Sequence, residues 1–277
     1  MIVIFVSVLL FGLIIGSFLN VVIARIPHEA SIVNPPSHCP RCKTPIRWYD
    51  NIPLVSFAIL RGRCRTCGQG ISWRYPLVEL LNGLLYLGAI FDFGFTGEAI
   101  LVMALCSSLV VITFIDIDHQ IIPDVITYPG MVIGLVVAPF FMTTLAGPLP
   151  FGLGAVLPPL GWIVTSFLNA LIGLILGGAP LYLIGLLWEK LRKVEAMGGG
   201  DVKYMAMVGS FLGWKGAFLT IMLGALAGSI VGVSLIMLKK HQADKVIPFG
   251  PFLAFGTLLT LFRGPEIIAW YLGYLRP

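Results

Sequence analysis

The sequence predicts an all-α polytopic membrane protein of about eight transmembrane helices with a cytoplasmic zinc-ribbon-like loop. Three observations predict it. Hydrophobic residues make up 58% of the 277-residue chain and charged residues 11%, with a mean hydropathy of +0.96; a soluble domain carries roughly a quarter charged residues. Long apolar segments recur along the chain, separated by short polar stretches. The largest polar unit, 25–75, holds four cysteines in two C-x-x-C pairs.

The first segment, 2–24, has no ionisable side chain, and it is long enough to span a hydrocarbon core. A cleaved signal peptide is the competing reading, but a basic n-region is missing and the run exceeds a usual h-region. The segment is therefore expected to stay as the first transmembrane helix, 1–24.

The loop 25–75 holds Arg25, Arg41, Lys43, Arg47, Arg61, Arg63, Arg65 and Arg74 against Glu29 and Asp50, a net +6 from eight basic and two acidic residues. In a membrane protein, such a loop follows the positive-inside bias and lies in the cytoplasm beside anionic lipid headgroups. This places the N-terminus outside and argues against a nucleic-acid partner. Further apolar segments follow at about 76–93, 97–115, 125–146, 163–187, 203–213, 216–238 and 247–262. Parity then puts 116–124, 188–201 and 239–245 inside and the C-terminus outside. The weakest crossing is 203–213, because that segment is short of a span. The Pro/Gly-rich 147–162 reads as an external linker or re-entrant piece. The expected domains are the helix 1–24, the cysteine loop 25–75 and a transmembrane core 76–277.

The pairs "CPRC" and "CRTC" supply Cys39, Cys42, Cys64 and Cys67. Two intervening residues let both thiolates of a pair reach one ion from a tight turn, and the interval from Cys42 to Cys64 suits a zinc ribbon. Four thiolates favour zinc over an iron–sulfur cluster. Two disulfides are the alternative, but cytoplasmic thiols stay reduced. A closed four-ligand site leaves no open position, so the expected role of Zn2+ is structural. Cys106, inside an apolar segment, reads as a packing residue.

The stretch "FIDIDHQIIPD" closes the third span with Asp116, Asp118 and Asp124, and "MGGGDVK" opens a later one with Asp201. Carboxylates at membrane depth are costly unless paired, hydrated or functional. Parity puts both stretches on the cytoplasmic side, so Asp116 and Asp201 can face each other, share one proton and act as an acid–base pair on a peptide bond. Gly198, Gly199 and Gly200 permit close approach beside Asp201. On the residues alone, Asp201 reads equally well as the cap of a helix starting at Val202, with Lys203 in its first turn. Asp118 reads as a solvated helix end, and Asp124, after Pro123, as the cap of the fourth helix.

"GSFLNVVIARIP" (16–27), the two cysteine pairs, "RYPLVELLNG" (74–83), "DIDHQIIPD" and "GGGDVK", in this order, resemble the type IV prepilin peptidases, membrane aspartyl peptidases of the G-x-G-D class. The resemblance covers nearly the whole chain. Its pattern of an aspartate followed after six residues by Pro-Asp, then a G-x-G-D aspartate, falls on Asp116 and Asp201. It implies that these two are catalytic, with Asp118, Asp124, Gly199, Gly200 and Lys203 supporting. It further implies cleavage of a basic leader after a glycine, from type IV prepilins or type II pseudopilins, at the cytoplasmic face of a bacterial inner membrane. The longer members with the cysteine loop also N-methylate the new terminus using S-adenosylmethionine. The resemblance gives Glu79 and Asn82, which share a helix face, a role in binding substrate or in methyl transfer; the plain alternative pairs Glu79 with Arg74 or Arg25. Asn20 reads as a packing residue with Gly16 and Ser17. Asp116 and Asp201 stand further apart in the chain than the pattern leads one to expect, with the excess placed in 147–162.

Other functions fit less well. A transporter would show repeated halves, and none is seen. There is no H-E-x-x-H, and no G-x-G-x-x-G follows a strand, so a donor site of the Rossmann type is not expected. A non-catalytic scaffold would tolerate loss of the aspartates. Nothing in the sequence specifies an oligomeric state.

Overall fold

The computed structural model describes residues 2–141, 162–193, 198–238 and 247–274. The sequence reading of 147–161 and of 239–245 falls outside these residues. Among the described residues six helices are long and apolar enough to cross a membrane. They are α1 (Ile2–Arg25), α3 (Arg74–Phe93), α4 (Gly97–His119), α7 (Trp162–Arg192), α8 (Gly199–Met237) and α9 (Gly250–Tyr274). Three are shorter: α2 (Val55–Ile59) in the polar loop, α5 (Asp124–Val136) and α6 (Ala138–Phe141).

The chain divides into two compact units, 1–115 and 116–277, with the division falling inside α4. In the first unit, α1 and α3 form a pair built on small residues. A Cβ added at Gly12 would lie 2.8 Å from Gly83 Cα, and one at Gly16 would lie 2.7 Å from Glu79 Cα. This G-x-x-x-G spacing lets two backbones touch in the absence of a hydrophobic driving force between helices. Large side chains on the opposite side of α1, such as Ile14 and Phe18, are exposed while Gly12, Gly16 and Asn20 are buried. That inversion suits lipid, not water, as the surrounding solvent.

Polar side chains complete the pair. Asn20 donates to Gly16 O and Tyr75 O, the packing role its sequence context suggests. Asn82 donates to Gly12 O at 2.8 Å and accepts from Ser107 of α4, whose hydroxyl also meets Tyr86. Asn82 is thus engaged in helix packing.

In the second unit, α8 packs against α5, α7 and α9. Its helical run is interrupted at Gly213, where φ is +68° and ψ is −178°. On a straight helix, residues 205 and 217 would be about 18 Å apart. A Cβ at Gly177 would nevertheless meet Met205 O and also lie 3.5 Å from Ala217 Cβ. The chain therefore doubles back at Gly213, a conformation open to glycine at little steric cost. The two apolar segments expected at 203–213 and 216–238 are the two legs of this hairpin. Among the described residues eight apolar segments are present: seven lie in the six helices of spanning length, two of them as the legs of α8, and the eighth is α5–α6.

Backbone contact between α7 and α8 depends on Gly173, Gly177 and Gly209, where an added Cβ would strike carbonyl oxygens of the opposite helix. Gly177→Val is expected to lower stability by about 2 kcal/mol or more through overpacking. Gly232→Val, at a position with nothing within 4 Å, serves as the control and is expected to be near neutral. Thermal unfolding in detergent checks the pair.

Candidate functional site

The first unit holds the four cysteines in two matching turns. Cys39 N–H donates to Thr44 O and Lys43 N–H to Cys39 O; Cys64 N–H donates to Gln69 O and Gly68 N–H to Cys64 O. The residue closing each turn has positive φ, +58° at Lys43 and +69° at Gly68. Short bridges, His38 with Pro45 and Arg63 with Gly70, flank them. All four Sγ atoms lie within 4.8 Å of one another, with Cys39 and Cys67 at 3.9 Å. Tetrahedral zinc thiolates would be about 3.8 Å apart. The set fits one metal ion.

Charge in the thiol cluster is uneven. The Thr44 hydroxyl and amide bring the Cys42 thiol down to about 6. Backbone amides of Cys67 and Thr66 also lower Cys64. The Gln69 amide pulls Cys67 down but is outweighed by desolvation and by the neighbouring sulfurs, which push it up to about 11. Beside the cluster Asp50 takes a bidentate Arg65, at 2.6 to 3.0 Å, which holds its carboxyl below the usual range.

Glu79 of α3 is buried beneath this loop. Its Oε2 accepts from Leu54 N–H at 2.9 Å, and Ser17 of α1 also hydrogen-bonds its carboxylate. Leu54 sits at φ +59°, a strained position for a branched residue, just before α2. Glu79 thus ties the loop to the helix pair. Neither the Leu54 nor the Ser17 contact was legible from sequence spacing.

The second unit gathers the acidic residues at four helix ends. Asp116 lies in the last turn of α4 and is buried. Gln120, with φ +56°, closes that turn by donating its N–H to Asp116 O. Asp116 Oδ2 accepts the Gly250 N–H at 2.9 Å. That amide is one of the unpaired donors at the start of α9, where the helix dipole favours negative charge. A Cβ at Gly250 would fall 2.6 Å from Asp116 Oδ2, so only glycine lets the carboxylate reach the amide undisturbed. Gly250 in "IPFGPF" was not singled out from sequence; its signal was a glycine set between prolines at a span boundary.

Asp201 is the third residue of α8 and close enough to Asp116 for the two charges to interact. The helix starts at Gly199 with Gly198 as its cap, earlier than the capping reading placed it, so Asp201 is not the cap. The glycines differ in role. A Cβ at Gly200 would lie 2.9 Å from Ile122 Cβ, whereas Gly199 has open space around it. Asp124 opens α5 behind Pro123, which takes the cap position. Both carboxylate oxygens of Asp124 accept from Lys203 Nζ at 2.8 Å, and the ammonium lies 5.3 Å from the centre of the Tyr128 ring. This clamp fixes the start of α8 to the start of α5. Asp118, by contrast, is exposed at the end of α4.

The fold and these sites define a multi-pass α-helical membrane protein with an aspartate pair at helix ends and a loop whose four thiols could hold one metal ion. Residues 10–93 match the bacterial peptidase A24 N-terminal domain, and residues 103–233 match the type IV leader peptidase family. A prepilin leader peptidase/N-methyltransferase of Stutzerimonas stutzeri is 35% identical, covering 97% of this chain and 93% of its own. The Pseudomonas aeruginosa protein of the same name is 36% identical over 96% and 92%. One from Myxococcus xanthus is 41% identical over 82% of this chain and 61% of its own length. No solved structure matches. The chain belongs to the type IV leader peptidase family.

Metal binding must remove the protons that the thiols still hold at neutral pH, Cys67 above all. Adding zinc to the metal-free protein at pH 7 should release protons, and affinity should fall as pH drops toward the value of Cys42, about 6. Proton release can be followed with an indicator dye during the titration. Cys64→Ser should leave less than about one-tenth of the bound metal by mass spectrometry.

Proposed function

We propose that the protein is an aspartic endopeptidase that removes the basic leader of type IV prepilins or type II pseudopilins after a glycine, and then N-methylates the new terminus. Asp116 and Asp201 are the catalytic pair. What supports the reading most is their placement: distant in the chain, they come within electrostatic reach at the ends of α4 and α8.

In the reaction, one carboxylate, ionised, takes a proton from water as the water oxygen attacks the scissile carbonyl carbon. The other, protonated, gives its proton to the carbonyl oxygen. In collapse the C–N bond breaks and the proton taken from water passes to the departing nitrogen. Gly250 N–H orients Asp116. The Lys203–Asp124 clamp and the close fit of Gly200 against Ile122 orient the start of α8, and with it Asp201. Asp118, exposed at the same end, adds negative potential for a basic leader.

The protein sits in a bacterial inner membrane with its N-terminus outside and the aspartates on the cytoplasmic face, as the +6 loop supports through the positive-inside bias. Cys39, Cys42, Cys64 and Cys67 hold a structural Zn2+, which closes the loop without entering the chemistry. S-adenosylmethionine, when bound, would supply the methyl group to the freed amine, its sulfonium leaving as a neutral thioether and the amine losing a proton.

Incubating the purified protein with a prepilin, with and without S-adenosylmethionine, gives products whose intact masses test both steps. Loss of the leader plus one methyl is expected, and an unchanged prepilin would overturn the proposal. Gly250→Val should displace the Asp116 carboxylate and slow cleavage by about 100-fold, with zinc content and membrane insertion retained. Wild-type cleavage by that variant would show that the amide does not set the carboxylate's position.

A further inference from the structure

The second unit contains a hydroxyl pair that takes no part in the proton transfers. Tyr204 of α8 and Thr257 of α9 are both fully buried, and their side-chain oxygens lie 2.8 Å apart. Thr257 Oγ1 also donates to Leu253 O at 2.8 Å, which commits its proton and makes the Tyr204 hydroxyl the donor between them. The bond joins the first leg of α8 to α9 in an apolar interior, where no water competes for it.

Its placement ties it to the aspartates. Asp201 and Tyr204 are three residues apart on one face of α8, about 4.5 Å along the axis. Gly250, Leu253 and Thr257 stand at i, i+3 and i+7 and form one stripe of α9. The start of that stripe gives the Gly250 amide to Asp116, and its far end takes the Tyr204 hydroxyl. Asp116 is thus held on α9 directly, and Asp201 is held to the same stripe through Tyr204. The second leg of α8 meets α9 differently. A Cβ at Gly256 would lie 2.6 Å from Thr220 O, and Thr220 donates to Thr260 at 3.2 Å. That leg carries neither aspartate of the pair.

We infer that Tyr204 is a positioning residue for leader cleavage: its hydrogen bond to Thr257 sets the first leg of α8 against α9 and so holds Asp201 in register with Asp116. The inference rests on the peptidase reading above. Thr260 supplies the comparison, because it makes the same kind of bond between the same two helices on a leg without a catalytic group.

The test is kcat and KM for prepilin cleavage by the full-length protein in detergent, with elution profile and thermal unfolding reporting the fold. Tyr204→Phe deletes the hydroxyl and keeps the ring, and Thr257→Val deletes its partner. Each should lower kcat by about tenfold and leave KM within about twofold. The double variant should be no slower than the slower single one, since both remove one bond. Thr260→Val should keep kcat within about twofold. Wild-type kcat in Tyr204→Phe, losses that multiply in the double variant, or an equal loss in Thr260→Val overturns the inference. If Thr257→Val does not fold, because its hydroxyl also serves Leu253 O, Tyr204→Phe against Thr260→Val decides alone. A wild type that leaves the prepilin uncut overturns the functional reading. A wild type that cleaves, beside a Tyr204→Phe variant of equal kcat, overturns the positioning role only.

Discussion

The hydrogen bond from Gly250 N–H to the buried carboxylate of Asp116 is the constraint on which the second unit depends. An apolar chain cannot bury an acceptor of this strength without an answering donor, because the unpaired group would cost several kcal/mol. The donor is the free amide at the start of α9, so the end of α4 and the start of α9 are brought together. Asp201 at the start of α8 and the Lys203–Asp124 clamp to α5 complete the cluster. Three helix N-termini surround one C-terminal turn, and their dipoles favour the negative charge gathered there. The remaining glycines serve this convergence. Gly200 lets α8 start against Ile122, and Gly213 turns α8 back along α7. The first leg, 199–212, is about 21 Å long and shorter than a hydrocarbon core. Its backbone at the turn is covered by protein, as membrane depth requires.

The first unit meets a different difficulty. Its loop has two isolated bridges, two short 3-10 helices and a five-residue α-helix among its described elements, too little regular structure to hold itself. Four thiols gather the two turns around a point where one metal ion could sit, and Glu79 supplies an anchor to the helices. The loop's basic surface, consistent with a headgroup position, is therefore fastened at both its cysteine turns and its underside.

Much of this was legible in the sequence. Apolar segments separated by polar punctuation give the helices, because hydrocarbon thickness sets a length the eye can count. The C-x-x-C pairs encode their own geometry, and the structure adds only that the two turns are near copies. Asp116, Asp118, Asp124 and Asp201 stood out because carboxylates are rare in such a chain, and the family resemblance singled out Asp116 and Asp201 among them. What could not be read was pairing in space. Gly250 looked like one more glycine at a segment boundary until α9 placed its amide on Asp116. Asn82 shares a helix face with Glu79, yet α1 and α4 claim its amide, whereas Glu79 meets a loop residue 25 positions away. The start of α8 was placed too late: Gly199 and Gly200 already belong to the helix, with Gly198 as its cap and Gly200 against Ile122. The reversal at Gly213 was legible, because Gly213, Lys215 and Gly216 interrupt the apolar run and part 203–213 from 216–238.

The central claim is that Asp116 and Asp201 act as one unit. The direct test is the rate of leader cleavage for Asp116→Asn, Asp201→Asn and the double variant, each shown to be inserted and zinc-loaded. Groups that share one proton and one water lose everything together. Each single variant should fall to the same residual rate as the double. Substantial cleavage by either single variant, or losses that multiply in the double, would contradict the pair.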